Sequence, residues 1–419
     1  MRNFAEIRRK NQKNESVSEE SPSVFGAEFC GENLCIALVC LDERVRLCYN
    51  KEKIFSDREV VTMNEQIFDP EIFVQETDAV RKRVKAVRKK DSLVLLVFSD
   101  LHANEVDAPV VTRLTEAVKE LTEAIPTDAV VDLGDNLAML GRDRHISNDD
   151  LQGVLDGLFG KVTEAAACPV FFLNGNHDAI GTDFFDPVFW NRILGEKFNR
   201  GAENRAPDGG YFTVDFEKSN TRLVCLSLPY DSDLEAKFPT PCWEFGQKQL
   251  QWLAHRALDT QRDVILCCHV PLYYEYRGDK TSMLGVWDGE KARQSYISAL
   301  CGWISDREVA EGILDAFQAG EAFENAEFGI SMPKRETAGR LKACFSGHTH
   351  VDSLWAPKEV RGEDRNPLPC PQAVVKSVAP PWKNITPCNA AVEMVVWTPS
   401  EQVFHLIRFG DGEDREIRL

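Results

Sequence analysis

The sequence predicts an α/β fold, and two observations carry the prediction. From Leu93 onward, short apolar runs alternate with longer stretches whose apolar residues recur at helical spacing, the pattern of consecutive βαβ units. Most of those apolar runs also end in a short polar loop containing Asp, Asn or His, and in open α/β sheets such strand ends are where ligands bind. The composition allows this: 43% of the 419 residues are hydrophobic, enough for one large domain or two to three smaller ones and too many for wholesale disorder.

Taken in order, residues 1–22 are polar and rich in Ser, Glu and Asn, and are expected to form a disordered tail. Residues 23–90 read as a small N-terminal extension. Its β-like runs Asn33–Leu41 and Arg44–Tyr49, separated by Asp42-Glu43, suggest a hairpin. Thr77–Lys90 is strongly basic, with Val80, Val84 and Val87 at helical spacing. A helix with one apolar stripe and a solvated basic face is preferred there to a nucleic-acid patch. Residues 91–419 form the main domain. Leu93–Phe98 reads as a buried strand, and Pro109–Ile125 as a helix with Val110, Leu114, Val118, Leu121 and Ile125 on one face. Ala129–Leu133 is the next strand, Asp149–Thr163 a second helix on Leu151, Leu155, Leu158 and Val162, and Val170–Leu173 a third strand. Further strands are expected at Arg222–Leu228, Val264–Cys268 and Lys342–Phe345, with helices at Gln247–Leu258 and near Glu308–Phe317. The C-terminal runs Ala373–Val378, Ala391–Trp397 and Val403–Phe409 are β-like and joined by Pro-rich turns.

Charge and cysteine usage exclude several classes. Lys and Arg number 49 against 67 Asp and Glu, a formal net charge of −18, which argues against a broad nucleic-acid surface, because such binding depends on Lys and Arg neutralising phosphates. A small phosphate ester held at a local cation remains compatible with it. The 13 cysteines include no CxxC pair, and many sit in apolar runs, where Cys behaves as a small hydrophobe rather than a disulfide half. A reducing, cytoplasmic setting follows as the expectation. No apolar run, Leu93–Phe98 included, approaches the ~20 residues of a membrane helix, and the charged N-terminus leads into no apolar signal region. No membrane partner is expected, and nothing in the sequence bears on oligomeric state.

The loops carry the chemistry. Leu93–Phe98 is followed by Ser99-Asp100-Leu101-His102, and Ala129–Leu133 by Gly134-Asp135-Asn136. Val170–Leu173 leads into Asn174-Gly175-Asn176-His177-Asp178, Val264–Cys268 into His269, and Lys342–Phe345 into Ser346-Gly347-His348-Thr349-His350. Each alone has an ordinary reading: Gly-Asp-Asn is a common turn, Asn-His-Asp caps helices, and a single His after a strand is commonly structural. Their order and shared strand context are what weigh against coincidence, and five of the eight histidines lie in these loops. His145, His255 and His405 read as surface or helix residues. The donor set is hard oxygen and imidazole without thiolate, which suits Mn, Fe or Zn in a catalytic site. It is too large for one ion and sufficient for two if a carboxylate bridges, and two ions ~3.5–4 Å apart clamp a phosphoryl group in line.

Together, Asp100-x-His102, Gly134-Asp135-Asn136, Gly175-Asn176-His177-Asp178, His269 and Gly347-His348-x-His350 resemble the signature of the calcineurin-like metallophosphoesterases, over about residues 93–350. Gly246-x-x-Gln249-Leu250-x-Trp252-Leu253 also resembles the helix preceding the His269 strand in that family. The resemblance implies a four-layer, two-sheet α/β sandwich flanked by helices, with the C-terminal segment completing the second sheet. It implies two divalent ions, Mn, Fe or Zn: Asp100, His102 and His350 at the first, Asp135 bridging, and Asn176, His269 and His348 at the second. His177 would face the phosphate and protonate the leaving oxygen, with Asp178 orienting it. The implied reaction is hydrolysis of a phosphate mono- or diester, small-molecule or nucleotide-like, by a hydroxide held between the ions.

Departures narrow the subclass. The loop Asn136-Leu-Ala-Met-Leu-Gly141-Arg142 lacks the Asp-Arg-Gly ending of Ser/Thr protein phosphatases, and His102 stands where purple acid phosphatases have a carboxylate. Ser99-Asp-Leu-His-Ala-Asn104 resembles the bacterial phosphodiesterase group. Residues 270–341 form an insertion, either a packed helical segment or a lid in which Tyr273 and Tyr274 stack on a flat substrate group and Arg277 meets phosphate. A non-catalytic scaffold of the same fold and a nuclease are the competing readings. The complete donor set opposes the first, and the acidic balance opposes the second.

Overall fold

The computed structural model describes residues 37–41, 44–48, 70–103, 106–137, 148–175, 178, 191–206, 210–227, 245–272, 306–335, 339–355, 369–378 and 391–419. The chain divides into two units, Met1–Glu65 and Gln66–Leu419. In the first, β1 (Ala37–Leu41) and β2 (Arg44–Cys48) pair antiparallel about Asp42-Glu43, as the sequence suggested.

The second unit is built on two six-stranded sheets, with β9 (Phe323–Asn325) and β10 (Ile330–Met332) forming a separate antiparallel pair. Sheet I runs in the order β16 (Arg415–Arg418), β15 (Val403–Gly410), β14 (Ala391–Thr398), β3 (Leu93–Phe98), β4 (Ala129–Asp132), β5 (Val170–Phe172). Sheet II runs β12 (Ser353–Trp355), β13 (Gln372–Val374), β11 (Leu341–Ser346), β8 (Asp263–Cys267), β7 (Thr221–Cys225), β6 (Phe212–Phe216). Strands β3, β4 and β5 are parallel, as are β7, β8, β11 and β13. The remaining strands are antiparallel additions at the sheet edges.

The period of two in a strand explains why continuous apolar runs were needed. Leu93, Leu95 and Val97 point into the layer between the sheets, against Ile265, Phe345 and Trp397, among others. Val94, Leu96 and Phe98 point the other way, into a core shared with α1 (Pro70–Val87), α2 (Pro109–Ala124) and α3 (Asn148–Ala165). A strand buried on both faces has no polar face to alternate with. The outer face of sheet II is covered likewise by α4 (Gln247–Trp252) and α5 (Arg307–Ala319). Helix, sheet, sheet, helix is the four-layer sandwich expected.

The helices follow their stripes closely. Helix α1 buries Phe73, Thr77, Val80 and Val84, one row at helical spacing, and sets Phe73 edge-on to Phe409 of β15 at 5.0 Å. Helix α2 starts with Pro109 in its first turn, where a missing N–H is harmless. It buries Val111, Leu114, Ala117, Val118 and Leu121. Helix α5 ends on Gly320 with φ +72°, the left-handed C-cap that glycine adopts without strain.

One expectation is revised. Only the Ala373 run contributes to sheet II, as β13, whereas β14 and β15 join sheet I. The βαβ crossovers carry the chain from β3 to β4 to β5 and leave the other edge of β3 open. Strand β14 closes it antiparallel, pairing Trp397 with Leu93 through to Glu393 with Val97. Strand β6, not foreseen, pairs with β7 and forms one edge of sheet II. Among the described residues no helix is long and apolar enough to cross a membrane.

The free edge of sheet I at β5 is closed by a side chain. Asn199, fully buried, accepts from the Phe172 N–H and donates to the Phe172 carbonyl, both at 2.9 Å. Asn199→Ala leaves both backbone groups buried and unpaired, at about 1–3 kcal/mol each. Urea unfolding should therefore show a loss of about 2–5 kcal/mol, and a loss below about 0.5 kcal/mol would contradict the role.

Candidate metal centre

The carboxyl ends of β3, β4, β5, β8 and β11 lie at one end of the sandwich, and their loops are hydrogen-bonded to one another. The β3 and β4 loops run side by side: Asp100, His102 and Ala103 N–H groups donate to the carbonyls of Gly134, Asp135 and Asn136 at 2.9, 3.0 and 2.9 Å. The Gly347 N–H donates to the His269 carbonyl at 2.9 Å, joining the β11 loop to that of β8. Ser377 Oγ donates to the Asp100 carbonyl at 2.8 Å.

Close approach explains the glycines of the motifs. A Cβ on Gly175 would lie 2.1 Å from Asp135 Oδ1, and one on Gly347 would lie 1.8 Å from Ser99 Oγ. Neither position has room for any side chain. The backbone is also forced: of the eight non-glycine residues with positive φ among those described, five are Asp100, His102, Asp135, His348 and His350. Such conformations persist only where the surroundings over-determine them, and they cluster at functional sites.

Two groups of donors result. Asp100, His102 and His350 form one, and Asp135, His269 and His348 the other, with the ligand atoms of each within 4.8 Å of one another. In the first, Asp100 Oδ2 accepts the His348 N–H at 2.9 Å, which leaves Oδ1 facing His350 Nε2 at 3.0 Å and His102 Nε2 at 3.6 Å. The two Nε2 atoms are 2.9 Å apart. In the second, His269 Nδ1–H donates to the Leu133 carbonyl at 3.0 Å and turns Nε2 toward Asp135 Oδ2 at 3.1 Å. A ring whose far nitrogen is fixed by a backbone carbonyl has the tautomer and aim of a metal-binding histidine. Asp135 Oδ2 also lies 4.0 Å from His102 Nε2, so this carboxylate faces both groups. Buried oxygen and imidazole donors pointed at common centres fit divalent cations, and no thiolate takes part.

Asp178 supports the arrangement from below. Its Oδ2 accepts the N–H groups of Asp135 and Gly175, both at 2.9 Å, and its Oδ1 those of Asn136 and Leu137 at 2.8 and 3.0 Å. A carboxylate read from the sequence as a partner for His177 thus holds the bend that carries Asp135. Asp132, at the end of β4, adds to this by accepting from the Gly134 N–H at 2.9 Å and from Asn136 Nδ2 at 2.6 Å. Its role was not foreseen, although an acidic residue closing an apolar run was the available signal. Asn176, His177, Tyr273, Tyr274 and Arg277 lie outside the described residues.

The electrostatics are those of crowded, buried groups. Burial alone would raise the Asp100 carboxyl, but the His350 charge and the hydrogen bonds of His102 and His350 hold it well below the usual carboxylate range. Burial and the nearby Asp135 charge raise Asp178 to about 6. Burial would lower His269, yet Asp135 outweighs it and lifts the imidazole to about 10. Burial and the charge of His269 push His348 down to about 3.

Comparison with known proteins agrees with this geometry. Residues 93–352, more than half of the chain, match the family described as calcineurin-like phosphoesterase. Among solved structures, one titled "Structure of PhoD" aligns with a TM-score of 0.43 and 13% identity, covering 78% of this chain and 68% of that one. GAP50, described as the anchor in the inner membrane complex of Plasmodium, aligns with a TM-score of 0.38 and 12% identity, covering 78% and 89%. No curated protein sequence matches the chain.

The His269 shift sets a pH dependence. Its folded value, about 10, lies above the ordinary 6.5. In metal-free protein its stabilisation is therefore complete below about pH 6.5 and is lost as pH rises toward 10. A cation at Nε2 takes the lone pair that the proton occupies, so metal uptake should release protons and tighten from pH 6 to pH 9. Titration calorimetry in buffers of different ionisation enthalpy checks this, and pH-independent affinity without proton release would contradict it.

Proposed function

The chain belongs to the calcineurin-like phosphoesterase family, and from that premise we propose that it is a metal-dependent hydrolase of small phosphate mono- or diesters, nucleotide-like molecules included. The observation that carries this reading is the meeting of two complete donor groups about Asp135 at the carboxyl ends of both sheets. None of the three carboxylate or imidazole positions of either group is replaced, as a scaffold of this fold could tolerate.

In this reading Asp100, His102 and His350 hold one ion, His269 and His348 with Asn176 hold the other, and Asp135 lies between. Divalent ions bound there, Mn, Fe or Zn, supply Lewis-acid polarisation of phosphoryl oxygens and a source of nucleophile at neutral pH. Two carboxylates against two divalent ions leave the centre positive, which is how a chain of net charge −18 accepts an anionic ester. His177, two residues beyond Gly175, holds the proton that the leaving oxygen needs. Asp178 keeps the Asp135 bend in place by accepting its backbone amides. Tyr273 and Tyr274 stack on a flat group attached to the phosphate, and Arg277 meets the phosphate itself. Cys168, Cys225, Cys267, Cys268 and Cys344 are free thiols, which supports a reducing, cytoplasmic setting.

The test pairs metal analysis with turnover on chromogenic mono- and diesters in Mn²⁺, Zn²⁺ or Fe²⁺. The parent should bind two ions and turn over. Asp135→Asn should lose the metal pair, and His177→Ala should keep both ions while slowing turnover ~10²–10⁴-fold. A parent that binds two ions and hydrolyses no ester would favour a scaffold, and cleavage of polynucleotides in preference to small esters would favour a nuclease.

A further inference from the structure

The C-terminal strands, which lie beyond the family-matched region, carry a buried charge network that ends at the metal centre. Glu393 of β14 and Arg408 of β15 are cross-strand partners, both almost wholly buried inside otherwise apolar strands. Arg415 of β16 grips Glu393 with two bonds, Nη2 to Oε1 at 2.9 Å and to Oε2 at 2.7 Å. Both arginines converge on Asp352. Arg408 Nη2 donates to Asp352 Oδ1, Arg415 Nη2 lies 3.3 Å from the same oxygen, and the Lys376 N–H donates to it at 3.1 Å. Arg415 Nη1 also donates to the carbonyls of Ser353 and Val374, at 3.0 Å each, and so fastens paired strands of sheet II to the C-terminal edge of sheet I.

Asp352 follows His350 by two residues. The turn Gly347–Asp352 contains His348 at φ +70° and His350 at φ +60°, conformations that need holding from both ends. The near end is held by the Gly347 bond to His269 and the His348 bond to Asp100. The far end is held by Asp352. Buried ion pairs add little net stability relative to apolar replacements, because desolvation offsets their attraction. What this network supplies is direction: two cations fixed in a rigid sheet aim one carboxylate, and with it the end of the turn.

We infer that Asp352 is a positioning residue for the first donor group, through which the C-terminal hairpin β14–β16 sets His350 for cation binding. This rests on the reading that Asp100, His102 and His350 hold an ion. The test uses full-length protein, Mn²⁺ titration and amide hydrogen exchange of the metal-free form. Asp352→Asn, and Arg415→Lys as a second variant that keeps the charge but not the fork, are compared with Arg222→Met. That control breaks a similar pair with Asp215 on β6 and β7, outside this network. Asp352→Asn should weaken one of two Mn²⁺ sites ~10–100-fold, leave the other within a few-fold of the parent, and speed exchange at Gly347–Ser353. Arg415→Lys should do the same to a smaller degree and carries the test if Asp352→Asn does not fold. Parental affinity at both sites with unchanged exchange would overturn the inference, as would equal weakening of both sites matched by Arg222→Met. A parent that binds no Mn²⁺ would overturn the metal reading instead, and exchange at Gly347–Ser353 would still decide whether Asp352 fixes the turn.

Discussion

The contact between Asp135 and His269 is the interaction on which the rest of the site depends. Asp135 follows β4 of sheet I, His269 follows β8 of sheet II, and they meet at 3.1 Å with both side chains buried. His269 reaches back across the sandwich a second time, through Nδ1, to the Leu133 carbonyl. Most of the layer between the two sheets is apolar packing, which fixes their spacing but is non-directional. Side-chain positions to within a fraction of an ångström come from polar contacts of this kind, and every other donor is placed relative to this pair. His348 lies ring-to-ring with His269, edge to face at 5.2 Å, and Asp100 is tied to His348 through its backbone.

Holding that pair in place needs a backbone that the chain does not adopt freely. Left-handed conformations at two aspartates and three histidines, with glycines between them too crowded for a methyl group, form a lattice in which each loop is the wall of the next. The carboxylates of Asp178 and Asp132 hold the bend around Asp135 by accepting its amides. The network through Asp352 does the equivalent for the β11 loop. The directional groups that support the site are therefore charged residues whose partners are backbone atoms or one another rather than a ligand.

This division explains what the sequence made legible. Strands β3, β4, β5, β8 and β11 were readable because burial on both faces demands unbroken apolar runs, and the donors were readable because they follow those runs immediately. Which face of Leu93–Phe98 meets helices and which meets the second sheet was not readable, since both faces are apolar. The placement of β14 beside β3 was missed because Trp397 pairs with Leu93 across some three hundred residues, and no local pattern encodes so distant a partner. Asp178 was noticed for its neighbour His177, whereas its four bonds go to amides whose identity leaves no mark in the sequence. Glu393 and Arg408 did leave a mark, each a charge inside an apolar β run, but only the register that sets them opposite one another gives it meaning.

The charge state of the centre completes the argument. Asp100, Asp132, Asp135 and Asp178 are all buried within the same few loops. Burial and mutual repulsion raise Asp132 well above its ordinary value and Asp178 to about 6, while Asp135 keeps a proton on His269 to about pH 10. Without cations, protons offset the buried negative charge. Divalent ions can take over that task with more charge per particle, and they use the lone pairs that protons would otherwise occupy. Folding and metal binding are then one linked equilibrium: whatever favours the ions favours the strained loops that bind them, by an amount that grows with ion concentration relative to the dissociation constant. The acidic character that sets this chain apart from proteins that attract phosphate through lysine and arginine is, at this one place, what would bring in positive charge.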